Sequence, residues 1–271
     1  MTGFIANARM YSVAPEAEAA WKALLAHICE AAEVDLDYIP YPAPQPMEKL
    51  WARADLGAVF MCGYPIAMRL AEVEPVAAPI PATPWADGRP LYRTDLIVRA
   101  ESRHTSLADT FDGRLGWTVS HSHSGFNALR HHLLRYRTPA RPSLYREVAG
   151  DLITARRVLD AVVAGEIDVG PLDAYWHHLI GRYRPDLVER VRVVESTDAA
   201  PIPAFVAAPG LGRNAMDRLK ASFVAARDAA WFAPLGEALA LEGFAHVGRA
   251  DFAETLAWDA EAKAQGYPLP A

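Results

Sequence analysis

The chain has 271 residues, 52% of them hydrophobic and 22% charged, a balance that excludes disorder and coiled coil and is enough for two cores rather than one. Its 27 basic residues against 33 acidic ones give a net charge of -6, so the basic footprint of a nucleic-acid binder is absent; the basic spots between Arg130 and Arg137 alternate with apolar residues and read as a solvated helix face. No apolar run is long enough to span a bilayer, and Met1 to Ala6 carry neither a basic segment nor an export core, which reads as a cytoplasmic protein or as a periplasmic one whose export signal has been removed.

Strands and helices alternate along the chain. Phe4 to Met10 reads as a strand, and Pro15 opens a helix with Glu16 and Glu18 in its first turn, where the helix dipole favours carboxylates. Trp21, Leu24, Leu25 and Ile28 mark the buried face of that helix. A proline-rich stretch, Pro40 to Pro46, leads to a short helix over Met47 to Ala54. Ala58 to Met61 is a buried strand, Tyr64 to Ala71 a helix, and Val73 to Ile80 and Leu91 to Val98 are strands. After a turn at Asp109 to Gly113, Leu115 to Val119 is a strand and Ser124 begins a helix. Thr154 caps the next helix and Gly165 ends it. Ile167 to Leu172 is a strand, Asp173 starts a helix, Val191 to Glu195 is a strand, and the chain from Asn214 onward is mostly helical. This alternation implies an α/β fold with mixed sheets flanked by helices, in which ligands bind where strands hand over to helix N-termini.

Four such turns stand out. Ser120 to Asn127 gathers three hydroxyls, two imidazoles and a glycine at a helix start. The unpaired N–H groups and the dipole there can hold an anion, and the same serines also suit plain N-capping. Cys62-Gly63-Tyr64-Pro65 allows close backbone approach at Gly63 and an aromatic wall at Tyr64, or is a tight turn with Pro65 opening a helix. Asp173 caps its helix or accepts a ligand's amino group. Tyr11 follows the first strand as a further wall. Catalytic and metal readings are weaker. Ser124 lacks the G-x-S-x-G context, His121 and His123 project oppositely on a strand, and the pairs His131-His132 and His177-His178 face apart on helices and read as surface or lobe-interface residues. Cys29 and Cys62 are spaced for neither a disulfide framework nor a zinc site, and nothing calls for a cofactor.

Taken in order, Met10-Tyr11, Cys62-Gly63-Tyr64-Pro65, Leu91-Tyr92-Arg93 with Leu96-Ile97-Val98, Ser122-His123-Ser124-Gly125, and Val163 to Val169 with Asp173 resemble the phosphate/phosphite/phosphonate-type substrate-binding proteins of ABC transporters. The resemblance spans about residues 4 to 230 and places the chain in the type-2 periplasmic binding protein class. It implies two lobes, 1–93 with 205–271 and 94–204, joined by two crossing strands near Leu91–Arg99 and Pro201–Ala207. It implies an oxyanion-bearing ligand in the interlobe cleft, reached by hinge closure, with contacts from Tyr11, Tyr64, Ser122, His123, Ser124, Gly125 and Asp173, and an ABC permease as partner. His123 departs from the pattern, where threonine is common.

The expectation is therefore a binding protein without catalytic residues, metal or direct membrane insertion. The competing reading is a cytoplasmic biosynthetic enzyme on the same fold, of the menaquinone- or thiamine-precursor type, with His123 and Asp173 as base and acid or Cys62 as a reactive group.

Overall fold

The computed structural model describes residues 3–271. It divides into two compact units, 1–92 with 201–253 and 93–200 with 254–271, so the chain passes from one to the other at three points rather than two.

The first unit is built on a six-stranded mixed sheet. Its order is Leu241–Ala245, Glu74–Pro81, Ala204–Ala207, Leu56–Met61, Phe4–Asn7 and Leu36–Tyr38. Leu56–Met61 and Ala204–Ala207 are buried at every position, as central strands covered on both faces must be. Leu36–Tyr38 and Leu56–Met61 run parallel to Phe4–Asn7, which sends the chain out of Phe4–Asn7 and Leu56–Met61 at the same end of the sheet. Helix Pro15–Ala32 begins with Pro15 in its first turn, ends at Glu33 in the left-handed region (φ 52°), and lays Trp21 edge-on against Phe60 at 5.2 Å. Phe60 in turn stacks on Phe205 at 3.8 Å.

The second unit holds a three-stranded antiparallel sheet with Thr94–Arg99 between Val191–Ser196 and Gly170–Asp173. Arg114–Gly116 pairs in parallel with Glu147–Ala149 beside it, and Leu115 bridges to Val169. Helix Ala155–Ala164 starts as expected, with the Thr154 hydroxyl accepting from the Arg157 N–H at 3.1 Å, and ends at Gly165 with φ 71°. Leu96, Leu115, Phe126, Leu129, Ala262 and Tyr267 share one apolar core.

That core corrects the lobe boundary. Residues 254–271 do not join the first unit, because helix Ala253–Ala264 and the tail after it bury Ala262 and Tyr267 in the second. The single strand expected over Leu91 to Val98 is interrupted at Arg93, where the pairing partner changes. After it, Thr94–Arg99 pairs with Gly170–Asp173, a ladder that the Ala174 N–H to Arg93 carbonyl bond prolongs. Leu91–Tyr92 pairs with Ala200–Pro201, while Ala204–Ala207, expected to be part of a crossing, is a central strand of the first unit. The helix expected to reach Ala71 ends after Ala67, with Arg69 at φ 57°, and the strand expected to reach Val119 stops at Gly116. The final third carries an edge strand, Leu241–Ala245, paired antiparallel with Glu74–Pro81. Among the described residues no helix is long and apolar enough to cross a membrane.

Candidate functional site

In the first unit the two aromatic turns follow the carboxyl ends of two parallel strands, at one end of the sheet. Tyr11 closes a single helical turn, Arg9–Tyr11, after the first strand; its carbonyl accepts the Trp21 indole N–H at 3.2 Å and its ring meets Phe60 edge-on at 5.0 Å. Tyr64 lies in the short helix Gly63–Ala67, and both tyrosine rings are buried. Gly63 is required by space. A Cβ there would lie 2.6 Å from the Phe252 ring, which backs this turn. Phe252 also lines a mainly apolar cavity of about 260 Å³ with Ala78, Leu91, Ile202, Val247 and His246. Cys62 is buried, and both cysteines are free thiols; burial, then Asp35, pushes the Cys29 thiol up to about 11.

In the second unit the serine turn and the Asp173 turn meet. Thr94 sits opposite Asp173 in the sheet register, and the Thr94 hydroxyl donates to the Ser124 carbonyl at 3.1 Å. The serine turn is not a plain α-helical start. His123–Asn127 forms a turn of π-helix, followed without a break by Ala128–Leu133 and Leu134–Tyr136. Ser122 is its N-cap, its hydroxyl accepting the Gly125 N–H at 3.0 Å, and the Asn127 N–H reaches the Ser122 carbonyl at 3.1 Å. The Thr118 N–H holds the Gly125 carbonyl at 3.2 Å. Hydroxyls from Thr94 and Ser122, with the Thr118 backbone, thus fix the path of the turn. Ser124 joins this network through its carbonyl. Thr94 and Thr118 were missed by sequence reasoning. Thr118 lies just upstream of the hydroxyl-rich stretch and was recoverable from it, while Thr94 carries no local signal because only the sheet brings it there.

Asp173 caps helix Ala174–Tyr183, its Oδ1 accepting the N–H groups of Tyr175 at 2.9 Å and Trp176 at 3.0 Å. His123 is only 1% exposed, with Nδ1 paired to the Asn127 amide at 3.2 Å and its ring stacked on Trp258 at 5.2 Å. Burial first, then the neighbouring His131, lowers its pKa to about 3. A group that weakly basic is a poor general base near neutrality. In the remaining histidine pairs, His131, His132 and His177 each have an acidic partner. His132 is buried and bonds Glu195 at 2.6 Å, His177 bonds Asp95 at 2.9 Å, and His131 bonds Glu261 at 2.9 Å. Among the described residues no group of three or more His, Cys, Asp and Glu is placed to hold a metal ion.

The depressed pKa of His123 has a measurable consequence. Between about pH 6.5 and about pH 3 the unfolded chain protonates this ring and the folded chain does not. Stability is therefore complete above pH 6.5 and falls as the pH drops toward 3, by about 1.4 kcal/mol per pH unit for one proton. His132, lowered by burial and by Arg135, adds in the same direction. Urea unfolding as a function of pH should show this slope, with a smaller slope in His123→Gln; an unchanged slope in that variant would mean that the ring is not the group titrating.

Residues 11–252 match the family described as ABC transporter, phosphonate, periplasmic substrate-binding protein. No curated protein matches the chain by sequence. Solved structures with a similar fold include a binding protein component of a phosphonate ABC transporter from Pseudomonas aeruginosa, with a TM-score of 0.79, 14% identity, and coverage of 98% of this chain and 88% of that one. PhnD1 from Prochlorococcus marinus in complex with methylphosphonate gives a TM-score of 0.77 at 13% identity, covering 96% and 98%. A Xanthomonas citri protein bound to ATP gives 0.66 at 18% identity, covering 97% and 99%.

Proposed function

The chain belongs to the family of periplasmic substrate-binding proteins of phosphonate ABC transporters, and from that premise we propose that it captures a small phosphonate- or phosphate-like oxyanion and releases it unchanged. The family is one of transporter binding proteins rather than enzymes, and the proposed setting is the periplasm, with an ABC permease as the partner that receives the ligand. The observation that carries the reading is the serine turn. A hydroxyl-rich helix start, braced from Thr94 and Thr118, points N–H groups and the positive end of a dipole at an anion without bringing a fixed positive charge. We assign the oxyanion to Ser122, Ser124 and Gly125, and the far end of an amino-bearing ligand to Asp173 on the same end of the sheet. Tyr11 and Tyr64 are assigned as the ligand's aromatic walls in the first unit. His123, enclosed against Trp258, is assigned to holding the turn.

Titration calorimetry with methylphosphonate, inorganic phosphate and adipate tests this reading. Methylphosphonate or phosphate should bind, and Ser124→Ala should weaken that binding about tenfold or more, the worth of one hydrogen bond to a charged group. No binding of either anion defeats the functional assignment. Unchanged affinity in Ser124→Ala removes this turn from the site, and a change in ligand mass after incubation makes the protein an enzyme.

A further inference from the structure

We propose that the C-terminal segment 254–271 is a positioning device for the serine turn, acting chiefly through Trp258. The proposal rests on the reading of that turn as the anion site. The helical run from His123 to Tyr136 turns one face to this segment, at 123, 127, 130 and 131. The Trp258 ring lies between two imidazoles, His123 at 5.2 Å and 30°, and His131 at 4.7 Å and 4°. The Asn127 amide donates to the Thr255 carbonyl at 2.8 Å and faces His123 Nδ1 at 3.2 Å, while Asn127 Oδ1 accepts from Arg130 at 3.0 Å. Arg130 itself donates to the Asp259 carboxylate and to the Pro268 carbonyl, the latter at 3.0 Å.

These anchors fall where the turn needs them. A π-helical turn is rarer and less favourable than α-helix, and survives where its surroundings impose it. Here it begins at His123 and ends at Asn127, and the C-terminal segment grips both of those residues. Asn127 links the two ends, since one amide touches both His123 and Thr255. Without Trp258 the His123 ring loses its stacking surface, and the turn is free to relax toward α-helical spacing. The N–H of Ser124, and the Ser122 hydroxyl held to the Gly125 N–H, then point elsewhere. An anion site built from neutral donors depends on their aim, because it has no charge to compensate for a misdirected N–H. Trp258, Thr255 and Asp259 are on this account positioning residues that need not touch the ligand.

The test compares Trp258→Ala and Trp258→Phe in the full chain by amide hydrogen exchange and by methylphosphonate titration. In Trp258→Ala, exchange at 123–127 should rise about tenfold while that of the sheet strand Thr94–Arg99 stays as in the parent. Affinity for methylphosphonate should fall by a similar factor, on the order of tenfold. Trp258→Phe keeps a ring between the imidazoles and should recover most of both. Exchange that rises evenly across 93–200, or a turn left unchanged in Trp258→Ala, overturns the proposal. If the parent protein binds no methylphosphonate or phosphate, the functional reading fails by itself, and the exchange pattern still decides whether Trp258 holds the turn.

Discussion

Gly125→Ala is expected to cost the protein about fivefold or more in affinity for methylphosphonate, although it adds one methyl group. A Cβ at position 125 would fall 1.9 Å from the Thr118 hydroxyl oxygen and 2.9 Å from the Thr118 Cβ and Cγ2. The backbone cannot simply back away, because the Thr118 N–H is bonded to the Gly125 carbonyl at 3.2 Å. Ser122 grips the Gly125 N–H from the other side at 3.0 Å. Relief must come from moving the turn, and overpacking of this kind costs about 1 to 3 kcal/mol. Since about 1.4 kcal/mol is a factor of ten in affinity, even the low end of that range is readable if it falls on the turn's geometry. Thr118→Ala in the same chain removes the oxygen and Cγ2 and leaves only the Cβ contact, so the double variant should recover part of the loss. Calorimetry on the two variants decides it. Parent-like affinity in Gly125→Ala alone would mean that the spacing between Thr118 and the turn has no bearing on binding.

The features that were legible in the sequence share a physical cause within a few residues. Pro15 with Glu16 and Glu18, Thr154 with the Arg157 N–H, Gly165 with its positive φ, and Asp173 with two N–H groups are all local devices, and each acts where the pattern placed it. The serine turn was legible as a helix start for the same reason. Its π-helical form was not, because the Trp258 stack and the Thr255 carbonyl that hold it come from the far end of the chain. The burial of His123 has the same origin. Alternating His and Ser reads as an accessible polar loop until a tryptophan is laid across it. The boundary at 253/254 was hidden because helix Ala253–Ala264 looks like any amphipathic helix; which core receives Ala262 is decided by long-range packing. The interruption at Arg93 falls where the chain changes pairing partner, from Ala200–Pro201 to Gly170–Asp173, and a change of long-range partner has no sequence signature.

The buried ion pair behind the turn gives the largest expected change in stability. The Arg130 side chain is 2% exposed and that of Asp259 12%, and the guanidinium also lies over the Phe126 ring at 4.9 Å. Asp259→Leu leaves a cation enclosed with only neutral acceptors, Asn127 Oδ1 and the Pro268 carbonyl. Stranding one partner of a buried pair costs about 3 to 5 kcal/mol, which is a large share of the roughly 5 to 15 kcal/mol that holds a domain folded. Arg130→Met with Asp259→Leu removes both charges and keeps volume in the cavity. It should be clearly more stable than Asp259→Leu alone, because no charge is then left without its counterion. It should still fall short of the parent, because Asn127 Oδ1 and the Pro268 carbonyl lose their donor and Lys263 loses the carboxylate it reaches at 2.7 Å. Urea unfolding of the parent, both single variants and the double variant closes the cycle. A cost below about 1 kcal/mol for Asp259→Leu would show that Arg130 finds water when its partner is gone, as an exposed pair does. A double variant no more stable than that single one would place the cost in lost packing rather than in the stranded charge.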